Sequence, residues 1–476
     1  MFIGREDELD GLQELWKRPG ARLVTCRGRR RIGKSTLFEE FARRCGATLV
    51  KLEGIAPQPS MRNADQIKFF VEQLALQTEA VEAVPDSWLK AFKMLAAAVP
   101  ARKRTVVLLD EISWMGAYDP NFPGELKVAW DNWFKKKANL MLVVCGSVSA
   151  WISENILNNT GFVGRRSEDI VLEELPLADC VRFWGGAAAR LSPSDMVDVL
   201  SVTGGVPRYL EEIDPALSAD ENIRSLCFSP KGMLVGEFGE LFASAFGERA
   251  VQKKAVLRVL ASGAKSGKEI AEALGSANSG HLTDRLEELE IAGFIAKDGG
   301  INPETGRPAR LFRWRIRDNY TRFFLKCVEP NVEAIRKRLF AFSSVANLPG
   351  WSTIMGFQFE SLVLSNILGL LHHLGLARTQ VLSAAPWRKT PGVSGPGCQI
   401  DLLLQTPRSL TVVEIKRRNE IGRDIIGEVE KKLAVLPARG KSVRTALVYA
   451  GTLSPAVEQE GFFDFVVPVE RLLGLA

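Results

Sequence analysis

Residues 28–35, with the sequence GRRRIGKS, constrain the fold of this chain more than any other segment. They fit the pattern Gly-x4-Gly-Lys-Ser/Thr, in which glycines let backbone N–H groups turn inward around phosphates. An apolar segment at residues 22–26 precedes the pattern, and an amphipathic segment at residues 36–44 follows it. We therefore predict a strand, a phosphate-binding loop and a helix whose positive end points at the phosphates.

The residues of this loop indicate an ATP site with a bound Mg²⁺ ion. We expect Lys34 to reach the β- and γ-phosphates, and the hydroxyl of Ser35 to bind the metal. The nucleotide-binding residues expected in and beside the loop are Gly28, Arg31, Gly33, Lys34, Ser35 and Thr36.

A second pair of residues predicts hydrolysis as well as binding. Asp110 and Glu111 follow the apolar run at residues 105–109. Asp110 would lie near the Mg²⁺ ion, and Glu111 would polarise the water that attacks the γ-phosphate. A scaffold that binds ATP without turnover is an alternative, and Glu111 argues against it.

Strand and helix signals alternate through the first 175 residues. Apolar runs at residues 47–52, 105–109, 140–145 and 169–172 are separated by helical segments. This alternation predicts an α/β fold with a doubly wound parallel sheet. We therefore assign residues 1–175 to an ATPase core.

Three polar residues late in this core are candidates for contact with the γ-phosphate. Ser147 follows the run at residues 140–145 and would sense the phosphate, although a turn or helix-cap serine fits the same position. Arg165 and Arg166 would stabilise the transferring phosphoryl group, either within the chain or from a neighbouring copy in an oligomer. A solvated pair is the alternative for these two arginines.

Beyond residue 175 the sequence predicts three further domains. Residues 176–248 are helical and predict a small lid, and residues 331–476 mix helix and strand signals, which predicts a second α/β domain. Residues 249–330 have the order of a winged helix-turn-helix. The elements predicted there are helices at residues 251–261, 268–274 and 279–292, then strands at residues 294–297 and 310–316.

The winged-helix segment suggests DNA as a partner. The helix at residues 279–289 would enter the major groove, and arginines of the wing would bind backbone phosphates. These arginines are Arg307, Arg310, Arg313 and Arg315. Because winged helices also dock proteins, a protein partner remains open.

A charged cluster in the last domain predicts a metal-dependent active site. Glu414 and Lys416 are two residues apart on a predicted strand, so their side chains share a face. Asp401 lies on the preceding strand, and Glu360, on a helix predicted at residues 355–374, would add a third carboxylate. Such carboxylates would bind Mg²⁺, and Lys416 would neutralise charge on a scissile phosphate. The alternative is an intact fold whose charged residues are structural or disabled.

Five segments together resemble the archaeal-type ATPases, on the AAA+ and STAND side of the P-loop proteins. They are FIGRE at residues 2–6, the phosphate-binding loop, LDEISW at 109–114, CGS at 145–147 and TGGVPRYL at 203–210. The resemblance implies that residues 3–5 and Pro207 lie near the adenine, and that residues 204–209 open a lid helix. One departure is Ser35, where many relatives have threonine, and this change keeps the hydroxyl for Mg²⁺.

The same resemblance implies the nature of the later domains. The sequence DNYTRFF at residues 318–324 looks like the winged-helix region of these proteins, and their C-terminal domain is similar to the PD-(D/E)XK nuclease fold. Two functions follow from it. One is an ATP-hydrolysing enzyme that binds and cleaves DNA. The other is an ATP-driven switch that binds DNA or protein and whose nuclease-like domain is inactive.

Composition limits the partners and the cellular compartment that we expect for the protein. The net charge of +6 is mildly basic and does not by itself identify a nucleic-acid partner. Seven cysteines without a Cys-x-x-Cys pair argue against a disulfide framework, and three histidines argue against a zinc site. No apolar run is long enough to cross a bilayer. We therefore expect a protein of the reducing cytoplasm without a membrane partner.

Overall fold

The chain forms two compact units. The computed structural model describes residues 2–100, 102–147, 149–276, 280–303, 305–309, 312–390, 397–438 and 440–475. The first unit comprises Met1–Glu173 and Leu241–Glu248, and the second comprises Glu174–Glu240 and Arg249–Ala476. The end of the first stretch lies two residues before the boundary predicted at residue 175. Most of the other three predicted domains falls within the second unit.

A parallel five-stranded sheet forms the centre of the first unit. Its strands are β1 (Arg22–Arg27), β2 (Thr48–Glu53), β3 (Thr105–Asp110), β4 (Leu140–Gly146) and β5 (Glu168–Val171). Its helices are α1 (Glu6–Lys17), α2 (Lys34–Arg44), α3 (Asn63–Gln77), α4 (Trp88–Ala98), α5 (Ile112–Met115), α6 (Phe122–Asn132) and α7 (Ser149–Ile152). The strand order is β2-β3-β4-β1-β5, with every neighbouring pair parallel. This confirms the predicted α/β fold.

The register of this sheet determines which residues meet at its carboxyl edge. Strands β3 and β4 are buried along their whole length, as their unbroken apolar sequences predict for central parallel strands. Arg27 of β1 pairs with Gly146 of β4, and Leu109 of β3 pairs with Val144 of β4. The segments that follow β1, β3 and β4 therefore emerge side by side.

The second unit is built around a mixed five-stranded sheet and a two-stranded hairpin. Its strands are β6 (Ile295–Asp298), β7 (Arg313–Ile316), β8 (Ser383–Lys389), β9 (Cys398–Gln405), β10 (Ser409–Ile421), β11 (Ser442–Leu453) and β12 (Phe465–Pro468). The larger sheet has the order β12-β11-β10-β9-β8. Strand β9 is antiparallel to β8 and β10, whereas β11 is parallel to β10 and β12.

Fifteen α-helices among the described residues belong to the second unit or pass through it. They are α8 (Leu177–Val181), α9 (Pro193–Thr203), α10 (Pro207–Leu210), α11 (Ala219–Phe228), α12 (Met233–Phe246), α13 (Ala250–Leu260), α14 (Gly267–Ala273), α15 (Gly280–Ile291), α16 (Asn319–Phe323), α17 (Val332–Arg336), α18 (Trp351–Ser365), α19 (Ile367–His373), α20 (Asp424–Val435), α21 (Pro455–Glu460) and α22 (Val469–Leu472). Helices α13, α14 and α15 followed by the hairpin β6–β7 reproduce the predicted element order. Lys265 adds a bridge to Trp314 of β7.

Two parts of the second unit differ from the prediction. The single helix predicted at residues 355–374 is two helices, α18 and α19, because the chain breaks at Asn366. The Asn366 side chain donates to the carbonyl of Leu362 and accepts a bond from the backbone N–H of Leu177. Strand β8 was not predicted, since Pro386 interrupts its short sequence and shifts its register with β9.

No single helix in the described ranges is long and apolar enough to cross a membrane. The bent pair α18 and α19 passes a test of length and composition only as a pair, with a 77° angle between the helices. All seven cysteines are free thiols.

Candidate functional site

The phosphate-binding loop follows β1 and uses backbone conformations that few residues adopt. A Cβ atom on Gly28 would lie 2.4 Å from the carbonyl oxygen of Leu172, so only glycine fits there. Gly33, the residue before α2, has φ 87° and lies in the left-handed region. Arg31 has φ 75°, which costs about 1–3 kcal/mol for a residue with a side chain. The loop is thus held in a strained shape, which is the kind of backbone that phosphate-binding loops use.

Lys34 is the lysine of this loop. Its buried ammonium donates to the carbonyl oxygens of Gly28 and Arg29, at 3.0 Å each. These two bonds fold the side chain back over the loop. A positive charge therefore lies where the loop and the first turn of α2 would hold phosphates.

Ser35 and Asp110 are in direct contact across the carboxyl edge of the sheet. The Ser35 hydroxyl donates to Oδ2 of Asp110, and Oδ1 of Asp110 accepts the backbone N–H of Glu111 at 3.0 Å. A hydroxyl and a carboxylate are the hard oxygen ligands that Mg²⁺ prefers. The two residues predicted to bind Mg²⁺ therefore fit that ion by their chemistry and their proximity. Thr36 follows in the first turn of α2.

Glu111 is oriented by Ser147, which follows the neighbouring strand β4. Oε2 of Glu111 accepts the Ser147 hydroxyl at 2.9 Å and the Ser147 backbone N–H at 3.2 Å. Glu111 itself has φ 48°, in the left-handed region. Ser147 was predicted to sense the γ-phosphate, and that role stays a prediction. The contact adds a second role, because it fixes the carboxylate that would direct the attacking water.

We expect Ser147→Ala to lower the turnover of ATP by about tenfold to a hundredfold, because a hydrogen bond to a charged group contributes about 1.5–3 kcal/mol. The backbone bond to Glu111 would remain, so the loss should be partial. The KM for ATP should change little, since Ser147 touches the carboxylate and not the loop. Steady-state phosphate release checks this, and an unchanged kcat would show that the hydroxyl does not position Glu111.

Arg5 joins the N-terminal segment to the phosphate-binding loop. Its buried guanidinium donates to the carbonyl of Ile32 at 3.3 Å and to the carbonyl of Glu173. Residues 3–5 were assigned to the adenine side only through the resemblance. The sequence around Arg5 could not predict these two bonds, because Ile32 lies 27 residues and Glu173 lies 168 residues farther along the chain.

Arg165 and Arg166 lie at the opposite end of β1 from the loop. The next residue, Ser167, donates its backbone N–H to Leu23 at 2.7 Å. Arg27, where the loop begins, is four residues farther along the strand, or about 13 Å. A role for these arginines at the nucleotide of their own chain is therefore wrong. A role toward a neighbouring copy stays a prediction.

Both arginines have partners within the first unit. The Arg165 guanidinium forms a two-bond pair with Asp131, at 2.8 and 2.9 Å. Arg165, with Lys127 beside it, lowers the pKa of Asp131 to about 2. Arg166 donates to the carbonyl of Leu157 at 3.2 Å.

The other predicted nucleotide contact, Pro207, begins α10 in the second unit. Its contact with the adenine stays a prediction.

In the second unit, the predicted cluster of Asp401, Glu414 and Lys416 comes together. Oδ2 of Asp401, on β9, accepts the backbone N–H of Ile415 on β10 at 3.0 Å. Glu414 is fully buried, and its Oε1 lies 2.8 Å from Nζ of Lys416. Lys416 also pairs with Glu428 of α20 at 3.1 Å. The pairing of β9 with β10 therefore places two carboxylates and a lysine at one point of the sheet.

A second lysine, Lys432 of α20, enters the cluster and was not predicted. Its Nζ contacts Oε2 of Glu414 and lies 3.9 Å from Oδ1 of Asp401. Glu428 and Lys432 are four residues apart, so they lie on the same face of α20. The four-residue spacing could have indicated that Glu428 and Lys432 act together. It does not show which strand this face of α20 packs against.

Burial and neighbouring carboxylates raise the pKa of two carboxyls of this cluster. Burial raises the pKa of Glu360, on α18, to about 7, and the charge of Asp401 adds to the rise. Burial raises the pKa of Asp401 to about 6, and Glu414 adds to that rise. The expected group of three metal-binding carboxylates is nevertheless not formed. No three His, Cys, Asp or Glu side chains of the described residues converge on a metal position. Glu414 instead has a lysine at each of its oxygens, Lys416 at one and Lys432 at the other.

These pKa shifts predict how the stability of the second unit depends on pH. Unfolded, the carboxyls of Glu360 and Asp401 titrate near pH 4, so the folded state binds more protons between about pH 4 and pH 7. Stability should therefore fall as pH rises through that window. Glu360→Gln, which cannot ionise, should flatten the dependence. Thermal melting at about pH 5 and pH 8 tests this, and equally steep falls in both proteins would refute it.

The wing arginines bind partners within the second unit. Arg313 donates to the carbonyl of Ala264 at 2.7 Å and to Glu269 at 2.8 Å. Arg315 is mostly buried and pairs with Asp298 at 2.8 Å. Carboxylates of the second unit already pair with these two arginines, and their contact with DNA phosphates stays a prediction.

The other residues predicted to contact DNA are Arg307, Arg310 and the helix predicted to enter the major groove. Arg307 is exposed, whereas Arg310 and Ser279, the first residue of the predicted groove helix, lie outside the described residues. The solvent face of α15 carries Asp284 and Glu287. Acidic side chains repel backbone phosphates, so this face does not favour DNA.

Comparison with known proteins agrees with the geometry of the first unit. Residues 2–213 match the model of a family described as an ATPase domain predominantly from Archaea. Over 431 residues the chain is 23% identical to the uncharacterized protein MJECL04 of Methanocaldococcus jannaschii, and the match covers 89% of each chain. A match of 41 residues, 42% identical, links it to the uncharacterized ATP-binding protein MJ0423 of that organism, covering 9% of this chain and 70% of the relative.

A solved structure shares the fold. The Walker-type ATPase PABY2304 of Pyrococcus abyssi superposes with a TM-score of 0.50 at 17% identity, covering 68% of this chain and 96% of that one. The loop with Lys34, the Ser35–Asp110 contact and the oriented Glu111 are the parts of such a site that phosphoryl transfer to water requires. Residues 2–213 are therefore similar to an ATPase domain predominantly from Archaea, and the loop, the Ser35–Asp110 contact and Glu111 lie within that match.

Proposed function

We propose that this ATPase domain hydrolyses ATP with Mg²⁺ and that the second unit cleaves DNA. In the first unit, Ser35 and Asp110 would hold Mg²⁺, which would neutralise charge on the β- and γ-phosphates. Lys34 binds the same phosphates, and Glu111 orients the attacking water by accepting its hydrogen bond. The Glu111–Ser147 contact carries this assignment, because it fixes the carboxylate beside the Ser35–Asp110 pair.

The proposal for the second unit rests on its topology and its charged cluster. A helix, the antiparallel strands β8, β9 and β10, a second helix and the parallel strand β11 follow one another. This mixed α/β sheet supports the PD-(D/E)XK-like domain that the resemblance implies. Asp401 and Glu414 supply hard oxygen atoms for Mg²⁺, and Lys416 would neutralise charge on the scissile phosphate. The juxtaposition of Asp401, Glu414 and Lys416 carries the proposal.

We expect the full chain to cut plasmid DNA with Mg²⁺ or Mn²⁺, and Lys416→Ala to cut it at least about a hundredfold more slowly. Asp401→Asn should have a similar effect, because it removes a charged oxygen ligand. Lys431→Ala is the matched control, since this lysine is exposed on α20 beside the cluster. Conversion of supercoiled to nicked plasmid measures the rate. Equal rates in wild type and Lys416→Ala would refute cleavage at this cluster.

A second candidate function is an ATP-driven switch whose nuclease-like domain does not cut. The contacts of Lys416 and Lys432 with both oxygens of Glu414 favour it, because they neutralise the carboxylate without a metal. The acidic face of α15 also favours a winged helix that docks protein. Lys432→Met separates the two functions. A nuclease should then bind Mn²⁺ more tightly at Asp401 and Glu414, whereas a purely structural cluster should lose stability and gain no metal affinity.

A further inference from the structure

A basic cavity lies in the first unit, away from the nucleotide loop. Its volume is about 310 Å³. Five of the ten residues that line it are cations, namely Arg18, Arg22, Lys135, Arg165 and Arg166. None of the ten is an acid. We call this feature the basic cavity.

The basic cavity is distinct from the ATP site of the same chain. Arg22 begins β1, whereas the phosphate-binding loop follows the last residue of that strand, Arg27. Five residues of strand separate the two ends, which is about 16 Å. Whatever occupies the cavity is therefore a second ligand.

The positive charge of the cavity is largely uncompensated. Asp131 pairs with Arg165, but Arg18 and Lys135 have no acidic partner among the residues that the structure describes. Arg22 donates to the carbonyl of Pro19 at 2.8 Å, and Arg166 donates to that of Leu157 at 3.2 Å. Four of the five cations therefore lack a carboxylate, and at neutral pH such a cluster repels itself unless an anion is present.

Two buried donors in the cavity also lack a partner. Nε of Arg22 and Nε of Arg166 are buried and make no hydrogen bond within the described structure. A buried polar group without a partner costs about 1–3 kcal/mol. The guanidinium groups of these arginines suit phosphate oxygens in two-bond geometry.

We propose that the basic cavity binds the backbone phosphates of a nucleic acid. Four cations without a carboxylate partner around an open cavity fit several phosphates in a row better than one small anion. The geometry is less suited to the nucleotide of a neighbouring copy, because Asp131 holds Arg165 in a two-bond pair within the cavity wall. This inference deepens the proposed DNA partner and assigns its contact to the ATPase domain instead of the winged helix.

The test measures DNA binding by the full chain in EDTA, so failure of DNA cleavage does not affect it. A fluorescent random-sequence duplex is titrated between about 50 and 200 mM salt. The variant Arg18→Gln/Lys135→Gln removes two exposed cations without breaking an internal bond. The control Lys90→Gln/Lys93→Gln removes the same charge from α4 of the same unit.

We expect the cavity variant to bind duplex several-fold more weakly than wild type and to lower the salt slope by about 2. The control should differ little in either quantity. Equal affinity and slope in the two variants would overturn the proposal. So would weaker binding of pyrophosphate with unchanged DNA binding, which indicates a small-anion site. Loss of ATP turnover without DNA in the cavity variant alone would also overturn it, since the cavity would then serve a neighbouring nucleotide.

Discussion

Glu111→Gln is expected to lower the turnover of ATP by about a hundredfold to ten-thousandfold, the range for loss of a general base. Glutamine keeps the size of the side chain and can still accept the Ser147 hydroxyl. It cannot take up a proton from the attacking water. ATP binding should stay close to wild type, because the phosphate contacts come from the loop and Lys34. The expected result is thus a protein that binds ATP and holds it.

Two measurements on the same protein establish this separation. Equilibrium binding of a fluorescent ATP analogue gives the Kd, and phosphate release gives kcat. Glu154→Gln is the matched control, because Glu154 is exposed and follows α7. A Glu111→Gln protein that turns over ATP at the wild-type rate would remove Glu111 from the chemistry. A protein that loses both binding and turnover would point to a structural role.

Arg322→Met is expected to destabilise the second unit by about 3–5 kcal/mol, the cost of removing one partner from a buried charged network. Arg322, on α16, is buried and donates to the carbonyl of Phe357, the Gln358 side chain and the Ser361 hydroxyl, each within 3.0 Å. It also donates to the carbonyl of Ile316. Methionine would leave all four acceptors without this donor.

The charge of Arg322 matters beyond these bonds. Burial lowers its pKa to about 10, and the nearby Arg315 contributes, while the charge of Glu360 acts in the opposite direction. Loss of Arg322 should therefore leave Glu360 less compensated. Hydrogen exchange of peptides from α16 and α18 measures the change in opening free energy. Arg336→Met, at an exposed pair with Glu333, is the control. Unchanged protection of α18 would contradict the assignment.

The local parts of the ATP site could be predicted from the sequence because their signals are local. Glycines at a fixed spacing between an apolar strand and a helix determine the loop. Asp110 and Glu111 directly follow an apolar run. The Glu111–Ser147 bond could not be predicted, because it depends on the alignment of β3 with β4. The position of Arg165 and Arg166 likewise depends on where β5 pairs along β1.

In the second unit, the sequence showed which residues are charged but not which charges pair. Asp401, Glu414 and Lys416 were predicted because strands place alternate side chains on one face. Lys432 was not predicted, because the sequence of a helix does not show which strand the helix packs against. Arg313 and Arg315 resemble a phosphate-binding wing in sequence. Their carboxylate partners lie 44 and 17 residues away, and only the fold brings them together.

The most direct test of whether the loop at residues 28–35 hydrolyses ATP is a comparison of two purified full-length proteins. Phosphate release from ATP is measured for the wild type and for Lys34→Ala. Lys34 is the one side chain whose ammonium lies over the loop through bonds to Gly28 and Arg29. We expect Mg²⁺-dependent release in the wild-type protein and none above background in the variant, with the fold intact by circular dichroism. Equal release by the two proteins would contradict an ATPase site in this loop.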